Sequence, residues 1–409
     1  MFFKVKTTEE VLSLLREFEP VGREHVPVSK ALSRVLSEDI VSPENLPGFL
    51  RATVDGYAIQ AKDSFGATES FPAFLEIAGE VKMGEIPSVT ASSGKAVRIA
   101  TGGMLPQGAD SVIMIEYCHL LDESTLEISR VVSPQENVIQ PDDDFKEGAL
   151  VLRAGRRLRP QDVGVLAGLG VLETAVYRVP KVAIISTGDE VIPVEEKAKP
   201  GQVRDINTYT LGAFCEQKRA APVYTGRCGD DFDDLLAMVK KGLEGADTVW
   251  VSGGSSVGTR DLTLRVFESL EKVDLLVHGI SISPGKPTII ARTDSRALFG
   301  LPGHVASAMV VAEIFLAPFL ATLSGEAYLE VKGRDIVEAR LARNVESVSG
   351  RDDFIRVRLL KDGEGWLAEP IFGKSGLIST LVEADGLLRV GRNREGLYRG
   401  DIVEIMMLR

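Results

Sequence analysis

The chain is poor in the residues that metal cages and disulfide frameworks are built from. Its three cysteines, Cys118, Cys215 and Cys228, lie far apart in 409 residues and make no C-x-x-C pair. That excludes a disulfide scaffold and points to a reducing cytoplasm. The four histidines show neither an H-E-x-x-H nor a zinc-finger spacing. Basic charge is also short: 47 basic residues against 59 acidic ones leave a formal charge of −12. A nucleic-acid binder working by bulk electrostatics would need a basic face, so that class is excluded. An anionic small molecule is not, because local geometry rather than net charge builds such a site. One long apolar run exists, "VASAMVVAEIFLAPFLATL" at 305–323, but Glu313 and Pro318 interrupt it. It is expected as a buried helix rather than a membrane span. The first residues, "MFFKVKTTEEVLSLL", are not read as a signal peptide; Thr7 and Glu10 form a capping box that opens an amphipathic helix.

What is present is ordinary for a globular protein: 44% hydrophobic and 26% charged residues. The length suggests roughly two to four domains of about 100–200 residues. No fixed-period repeat or low-complexity tract is visible. Between 180 and 325, short β-branched runs ("KVAIIST", "PVYTG", "TVWVS", "VDLLVHGISI", "PTIIART", "RALFG") alternate with helical patterns such as "DFDDLLAMVKKGLE". This predicts βαβ units, a parallel sheet and a three-layer α/β domain. Residues 40–145 are Pro/Gly-rich with short β-like runs, which suggests a small β-rich domain. Residues 148–171 read as a bridge, and the segment from about 327 reads as a C-terminal β-barrel or sandwich.

In open α/β sheets, ligands sit outside the carboxyl ends of the strands. Three motifs fall there: "STGDE" (186–190), "SGGSSVGTRD" (252–261) and "LPGH" (301–304). Glycines in "SGGSSVG" can expose N–H groups to a phosphate, and the following helix adds its positive end. Such turns are also commonly mere connections. The carboxylate that ends this one, Asp261, points to a metal ion or a ribose hydroxyl. Asp189, Glu190 and the "GDD" at 229–231 could be turn or cap residues singly. Together, like charges at one edge need a compensating cation, and Mg²⁺ is the natural candidate. Lys286 in "SPGKP" offers a point charge to phosphate or oxyanion. His304 is read as an ordinary helix-start residue. In the N-terminal half, Asp55-Gly56, Thr101 and the run Asp142–Asp144 stand on loops, none of which makes a site alone.

Taken in order, these strings resemble the molybdopterin molybdenumtransferase family, which includes the C-terminal domain of gephyrin. The resemblance spans nearly the whole chain: Ser42–Ala58 ("SPxNLPxF…DGYA"), Arg98–Glu116, Glu136–Asp144, Val182–Glu190, Ser252–Asp261, Pro284–Pro287 and Leu301–Gly303. It implies a multidomain α/β plus β protein in four parts. These are a molybdopterin-binding α/β domain (1–26 with 179–326), a bridging domain (27–53 with 145–178), a β-rich domain (54–144) and a C-terminal barrel (327–409). It implies insertion of molybdate or tungstate into adenylyl-molybdopterin with Mg²⁺ assisting and AMP leaving, by a cytoplasmic homodimer. It further implies contact with a molybdopterin adenylyltransferase, and neither nucleic acid nor membrane as a partner.

The resemblance also assigns residues. Asp55, Thr101, Asp144, Glu190, Asp230 and Asp261 are implied as catalytic, with Glu190, Asp230 and Asp261 holding Mg²⁺ near the bridging phosphates. Ser252, Gly253, Gly254, Ser255, Ser256, Lys286, Pro302 and Ser375 are implied to grip phosphate and pterin. Asp55, Thr101 and Asp144 are implied to orient substrate from the partner's β-rich domain. The chain departs from the family's usual residues at Ala52 (Ser), Ile139 (Arg), Ser283 (a basic residue) and His304-Val305 (Asn-Pro). These departures bear on the oxyanion contacts and on molybdate against tungstate. Two rivals are carried: the α/β segment alone resembles the related adenylyltransferase, and the whole could be a gephyrin-like scaffold. The additional domains speak against the first. The absence of gephyrin's long linker and second catalytic domain speaks against the other.

Overall fold

The computed structural model describes residues 5–253, 257–327, 336–363 and 365–408, with 257–261 as backbone only. Two compact units are present: 1–38, 154–159 and 173–409 form the first, and 39–153 with 160–172 the second.

In the first unit, helix α1 (Thr8–Leu15) starts at the expected capping box. Glu10 N–H donates to Thr7 Oγ1 at 3.3 Å, and Thr7 N–H donates to Glu10 Oε2 at 2.7 Å. The α/β layer then runs β1 (Lys181–Thr187), α2 (Asn207–Gln217), β2 (Ala221–Cys228), α3 (Phe232–Gly245), β3 (Thr248–Gly253) and α4 (Val257–Glu268). It continues with β4 (Val273–His278), β5 (Ile282–Ser283), β6 (Ile289–Thr293) and β7 (Arg296–Leu301). Six of these strands form one sheet in the order β2-β1-β3-β7-β6-β4. The parallel sheet expected from the sequence is found in β2, β1, β3 and β7. Strands β6 and β4 run antiparallel to their neighbours. Only Asp294 and Ser295 join β6 to β7, with Asp294 at φ 49°. Two residues can close a hairpin, whereas a parallel crossover needs a dozen or more.

Period-2 alternation splits the sheet's side chains between two cores. Val182, Ile184, Trp250 and Phe299 face α1, α2 and the helix α5 (Val305–Leu323). Ala183, Ile185, Val249, Val251 and Leu298 face α3 and α4. A relay of aromatic rings, Phe214–Trp250–Phe299–Phe319–Phe18, crosses the first core at centroid spacings of 6.4, 6.4, 5.0 and 5.3 Å. Such edge-on and tilted pairs add about 0.5–1.5 kcal/mol each beyond area burial.

Helix α5 is long and apolar enough to cross a membrane, yet it packs into this core, with Phe315 and Phe319 fully buried. Its charge, Glu313, pairs with Lys218 Nζ at 3.1 Å. A widened turn at Ala312–Leu316 sits just ahead of Pro318, whose ring nitrogen cannot donate to the helix. Lys218→Met removes the cation from a largely buried carboxylate. It is expected to cost roughly 2–3 kcal/mol, read as a lower urea midpoint; an unchanged midpoint would contradict the pairing.

The C-terminal segment contributes β8 (Ile336–Leu341), β9 (Asp352–Asp362), β10 (Gly365–Pro370), β11 (Gly386–Val390) and β12 (Ile402–Met407). They run β9-β10-β8-β12-β11, and β11 pairs back onto β9, so the sheet closes into a barrel with its own core of Leu341, Val357, Leu388 and Ile405. Closure removes open edges. The barrel is joined to the α/β layer by β5, which adds in parallel to β9 (Ile282 opposite Asp352, Ser283 opposite Asp353). Phe354 and Leu387 point the other way, into the α/β core.

The second unit carries a six-stranded sheet in the order Ser111–Met114, Gly56–Ile59, Lys95–Ile99, Ala73–Glu80, Thr125–Ile128, Cys118–Leu120, and a helix at Pro160–Gly168. The β-like runs expected between 40 and 145 supply these strands.

Candidate functional site

The sheet's parallel strands all end at one edge, and the barrel wall rises beside it. Between them lies a cavity of about 750 Å³. Its near side is the turn after β5. Gly285 sits there at φ 115°, and a Cβ on it would come within 2.6 Å of Val311 and 2.8 Å of Ile282. Only glycine fits this turn, which carries Lys286 to the cavity. The far side is β9 with the loop Ile371–Ser375.

Arg356 is the most informative residue of that wall. It is only 8% exposed. Its Nη1 donates to Thr380 Oγ1 and its Nη2 to the Gly373 carbonyl, both at 3.0 Å, while Nε is buried without an acceptor. Burial lowers its pKa from the ordinary arginine value, though an arginine stays charged in proteins. No carboxylate pairs with it among the described residues. By contrast, Arg351 lies against Asp353, with Nε 2.9 Å from Oδ1. Two cations, Lys286 and Arg356, therefore face the cavity without an acid partner among the described residues. A buried guanidinium held only by neutral acceptors is costly, and an anion in the cavity would offset that cost. Ser283, Pro302, Ser307 and Ser375 line the same space.

A smaller cavity of about 260 Å³ opens at the ends of β1 and β3, lined by Thr187, Glu190, Asn207, Ser252, Gly253 and His304 among others. Asn207 Nδ2 donates to Ser252 Oγ and to the Gly303 carbonyl, both at 2.7 Å, while its Oδ1 is buried without a donor. The acidic cluster stands beside it. Asp230 Oδ1 accepts from Thr187 Oγ1 at 3.2 Å, and Asp189 Oδ1 accepts from Asp230 N–H at 3.0 Å. The Asp230 carboxyl is raised above its ordinary value by burial, helped by the neighbouring charges of Asp189 and Glu190 and opposed by the Thr187 hydrogen bond. Gly254, Ser255 and Ser256 lie outside the described residues, as does the Asp261 side chain, although its backbone is helical in α4. Among the described residues no group of three or more metal-ligating side chains is present. Glu190 and Asp230 are hard oxygen donors of the kind Mg²⁺ prefers.

A raised carboxyl binds its proton more tightly in the folded state, so it destabilises the fold at neutral pH, and the penalty fades as pH falls through the folded value. Asp230→Asn is therefore expected to stabilise by roughly a few tenths of a kcal/mol at neutral pH, after solvent screening. The gain should vanish in acid. A thermal melt that drops in the variant at neutral pH would contradict this.

In the second unit, Asp55 and Thr101 come together. Asp55 Oδ1 accepts from Thr101 N–H at 2.7 Å and from Thr101 Oγ1 at 2.9 Å. The strands that carry them are paired at Gly56 and Ile99. A Cβ at Gly56 would lie 1.9 Å from the Ile113 carbonyl oxygen, so the backbone approach at this point demands glycine. The two hydrogen bonds hold the Asp55 carboxyl below its ordinary value. Its stabilising effect is present above the unfolded-state value and lost as pH falls through the lower folded one. Asp144 lies on a separate turn, its N–H donating to the Leu46 carbonyl at 3.0 Å. Ala52 and Ile139 sit in a two-rung antiparallel ladder, Val138 with Ala52 and Ile139 with Arg51.

The sequence reading passed over Arg356, Ser307 and Asn207. A signal existed for Arg356: strand alternation in "DDFIRVR" places it on the same face as Phe354, a charge at an inward position.

Comparisons with known proteins agree with this architecture. Residues 6–170 match the model of the MoeA N-terminal region (domain I and II), 183–322 that of a probable molybdopterin binding domain, and 338–408 that of the MoeA C-terminal region (domain IV). A putative molybdopterin biosynthesis protein of Methanocaldococcus jannaschii is 33% identical over 393 residues, covering 94% of this chain and 92% of that protein. The molybdopterin molybdenumtransferase of Haemophilus influenzae is 31% identical over 388 residues, covering 94% of each. The crystal structure of a molybdopterin biosynthesis MoeA protein from Pyrococcus horikoshii superposes with a TM-score of 0.82 at 36% identity, covering 99% of this chain and all of that one. By its motifs, its fold and these relatives, the chain belongs to the molybdopterin molybdenumtransferase family.

Proposed function

We propose that the chain is a molybdopterin molybdenumtransferase that takes molybdate or tungstate and adenylyl-molybdopterin, releases AMP and leaves molybdenum on the dithiolene. The observation that carries this reading is the buried Arg356, with no carboxylate partner among the described residues, on the wall of a cavity of about 750 Å³. A tetrahedral oxyanion offers such a guanidinium charge-assisted hydrogen bonds, each about 1.5–3 kcal/mol. Lys286 adds a second positive charge, and Ser307 and Ser375 bring hydroxyl groups to the same cavity. Gly253 and Ser252, with Gly254, Ser255 and Ser256, would meet the pterin-nucleotide at the strand ends.

The acidic cluster serves the other end of the substrate in this reading. Glu190 and Asp230, with Asp261, would hold Mg²⁺, which when bound neutralises charge on the departing phosphate. Asp55, Thr101 and Asp144 orient the substrate. The homodimer, the contact with an adenylyltransferase and the four-part domain division belong to the same proposal.

Incubation with adenylyl-molybdopterin tests it. AMP release that requires molybdate is the expected outcome. ATP consumption by the chain alone would favour the adenylyltransferase reading instead, and an inert protein would favour a scaffold.

A further inference from the structure

His304 stands on the wall shared by the two cavities and lines both. Its Nδ1 lies 2.8 Å from Ser375 Oγ, and Ala306 N–H donates to the Ser375 carbonyl at 3.1 Å. The loop that carries Ser375 is therefore latched to the sheet edge at this serine. The ring also lies along the next residue: a Cβ on Gly376 would be 3.8 Å from the imidazole Cδ2.

Which partner donates in the His304–Ser375 bond depends on the tautomer and charge of the ring: a neutral ring protonated at Nδ1 would already donate to Oγ, so the coupling requires the Nε2–H tautomer. A neutral imidazole protonated at Nε2 presents a lone pair at Nδ1 and takes the serine O–H. Ser375 then shows the cavity only lone pairs, which repel an anion. An imidazolium carries N–H at both nitrogens, so Nδ1–H donates to Oγ and the hydroxyl hydrogen turns free. We propose that His304 is a positioning residue that, on taking up a proton, releases the Ser375 hydroxyl to donate to the anionic substrate, so that oxyanion binding is coupled to proton uptake. This rests on the oxyanion reading of the larger cavity given above.

The surroundings set the balance. The charged groups that line the larger cavity with His304 are Lys286, Arg351, Arg356, Glu346 and Asp353. On the smaller cavity they are Glu190, Asp205 and Arg204, with Lys374 next to the serine in the chain. A bound dianion tips this balance toward the imidazolium, and linkage makes the effect reciprocal: a proton on His304 must strengthen anion binding by the same factor.

Calorimetric titration of the full chain with micromolar molybdate, and separately with sulfate, tests the coupling at about pH 5.5 and about pH 8.5, either side of the ordinary histidine value near 6.5. The wild-type protein is expected to bind about tenfold more tightly at the lower pH. At intermediate pH it should take up a fraction of a proton per anion, read from buffers of different ionisation heat. H304N should bind with the same affinity at both pH values and take up no proton. S375A should lose most of the acid gain. Binding that is equally tight at both pH values in wild type, or a full acid gain surviving in H304N or in S375A, overturns the coupling while leaving the oxyanion cavity in place. No binding at any pH overturns both readings.

Discussion

Arg356→Met is expected to lower molybdate-dependent AMP release on the order of a hundredfold or more, with folding intact. Arg356 is held by a threonine hydroxyl and a backbone carbonyl, with no carboxylate among the described residues. A buried guanidinium held only by neutral acceptors carries an uncompensated desolvation cost, so a melting temperature that holds or rises in the methionine variant is part of the prediction. The activity loss follows if the guanidinium faces a developing or bound oxyanion in a water-poor cavity, where one lost donor costs about 2.7–4 kcal/mol. Arg356→Lys keeps the charge but not the planar fork, and should recover only part of the loss. Full activity in the methionine variant would remove the cation from the mechanism.

The second large effect concerns the seam that shapes the cavity. Asp352 is 1% exposed, and three donors converge on it: Thr8 Oγ1 at 2.6 Å, Arg389 Nη2 at 2.9 Å and the Arg392 N–H at 3.0 Å. Arg389 also reaches Glu9 on α1. Both carboxylates, opposing its own burial, raise the Arg389 pKa above its ordinary value. One carboxylate therefore ties α1, β9 and β11 together at the point where β5 pairs with β9. Asp352→Ala leaves the buried Thr8 hydroxyl and the Arg392 N–H without their acceptor, and Arg389 with Glu9 alone. It should cost about 3 kcal/mol or more, seen by scanning calorimetry as earlier melting. Because β9 carries Arg356 on the cavity wall, the variant's KM for molybdate should rise as well. Asp352→Asn retains an acceptor and should lose less. Wild-type melting in the alanine variant would show that the barrel does not depend on this tie.

Much of this architecture could be read from the chain because its signals are local. The alternation of "KVAIIST" and "TVWVS" with helical segments foretells a layered sheet, and the Thr7–Glu10 box marks the first helix to the residue. The hairpin of β6 and β7 was not foreseen, since "PTIIART" and "RALFG" look like any buried strands and only the two-residue link between them dictates the antiparallel turn. The acidic edge was legible because Asp189, Glu190 and Asp230 follow strands and carry their own chemistry in their names. The cation of the barrel wall was not, because a lone arginine in a strand looks like a solvated face until burial is known. His304, read as a plain helix start, proves to share a hydrogen bond with a serine 71 positions away. That is a contact no periodicity reveals.

The central claim is that the cavity between sheet edge and barrel holds the metal oxyanion. Crystals soaked with molybdate, with diffraction collected at the molybdenum absorption edge, test this most directly. The account predicts one anomalous peak inside the cavity, within hydrogen-bonding reach of Arg356 and Lys286. A peak at the acidic edge beside Glu190 and Asp230, or none in the cavity at saturating molybdate, would contradict it.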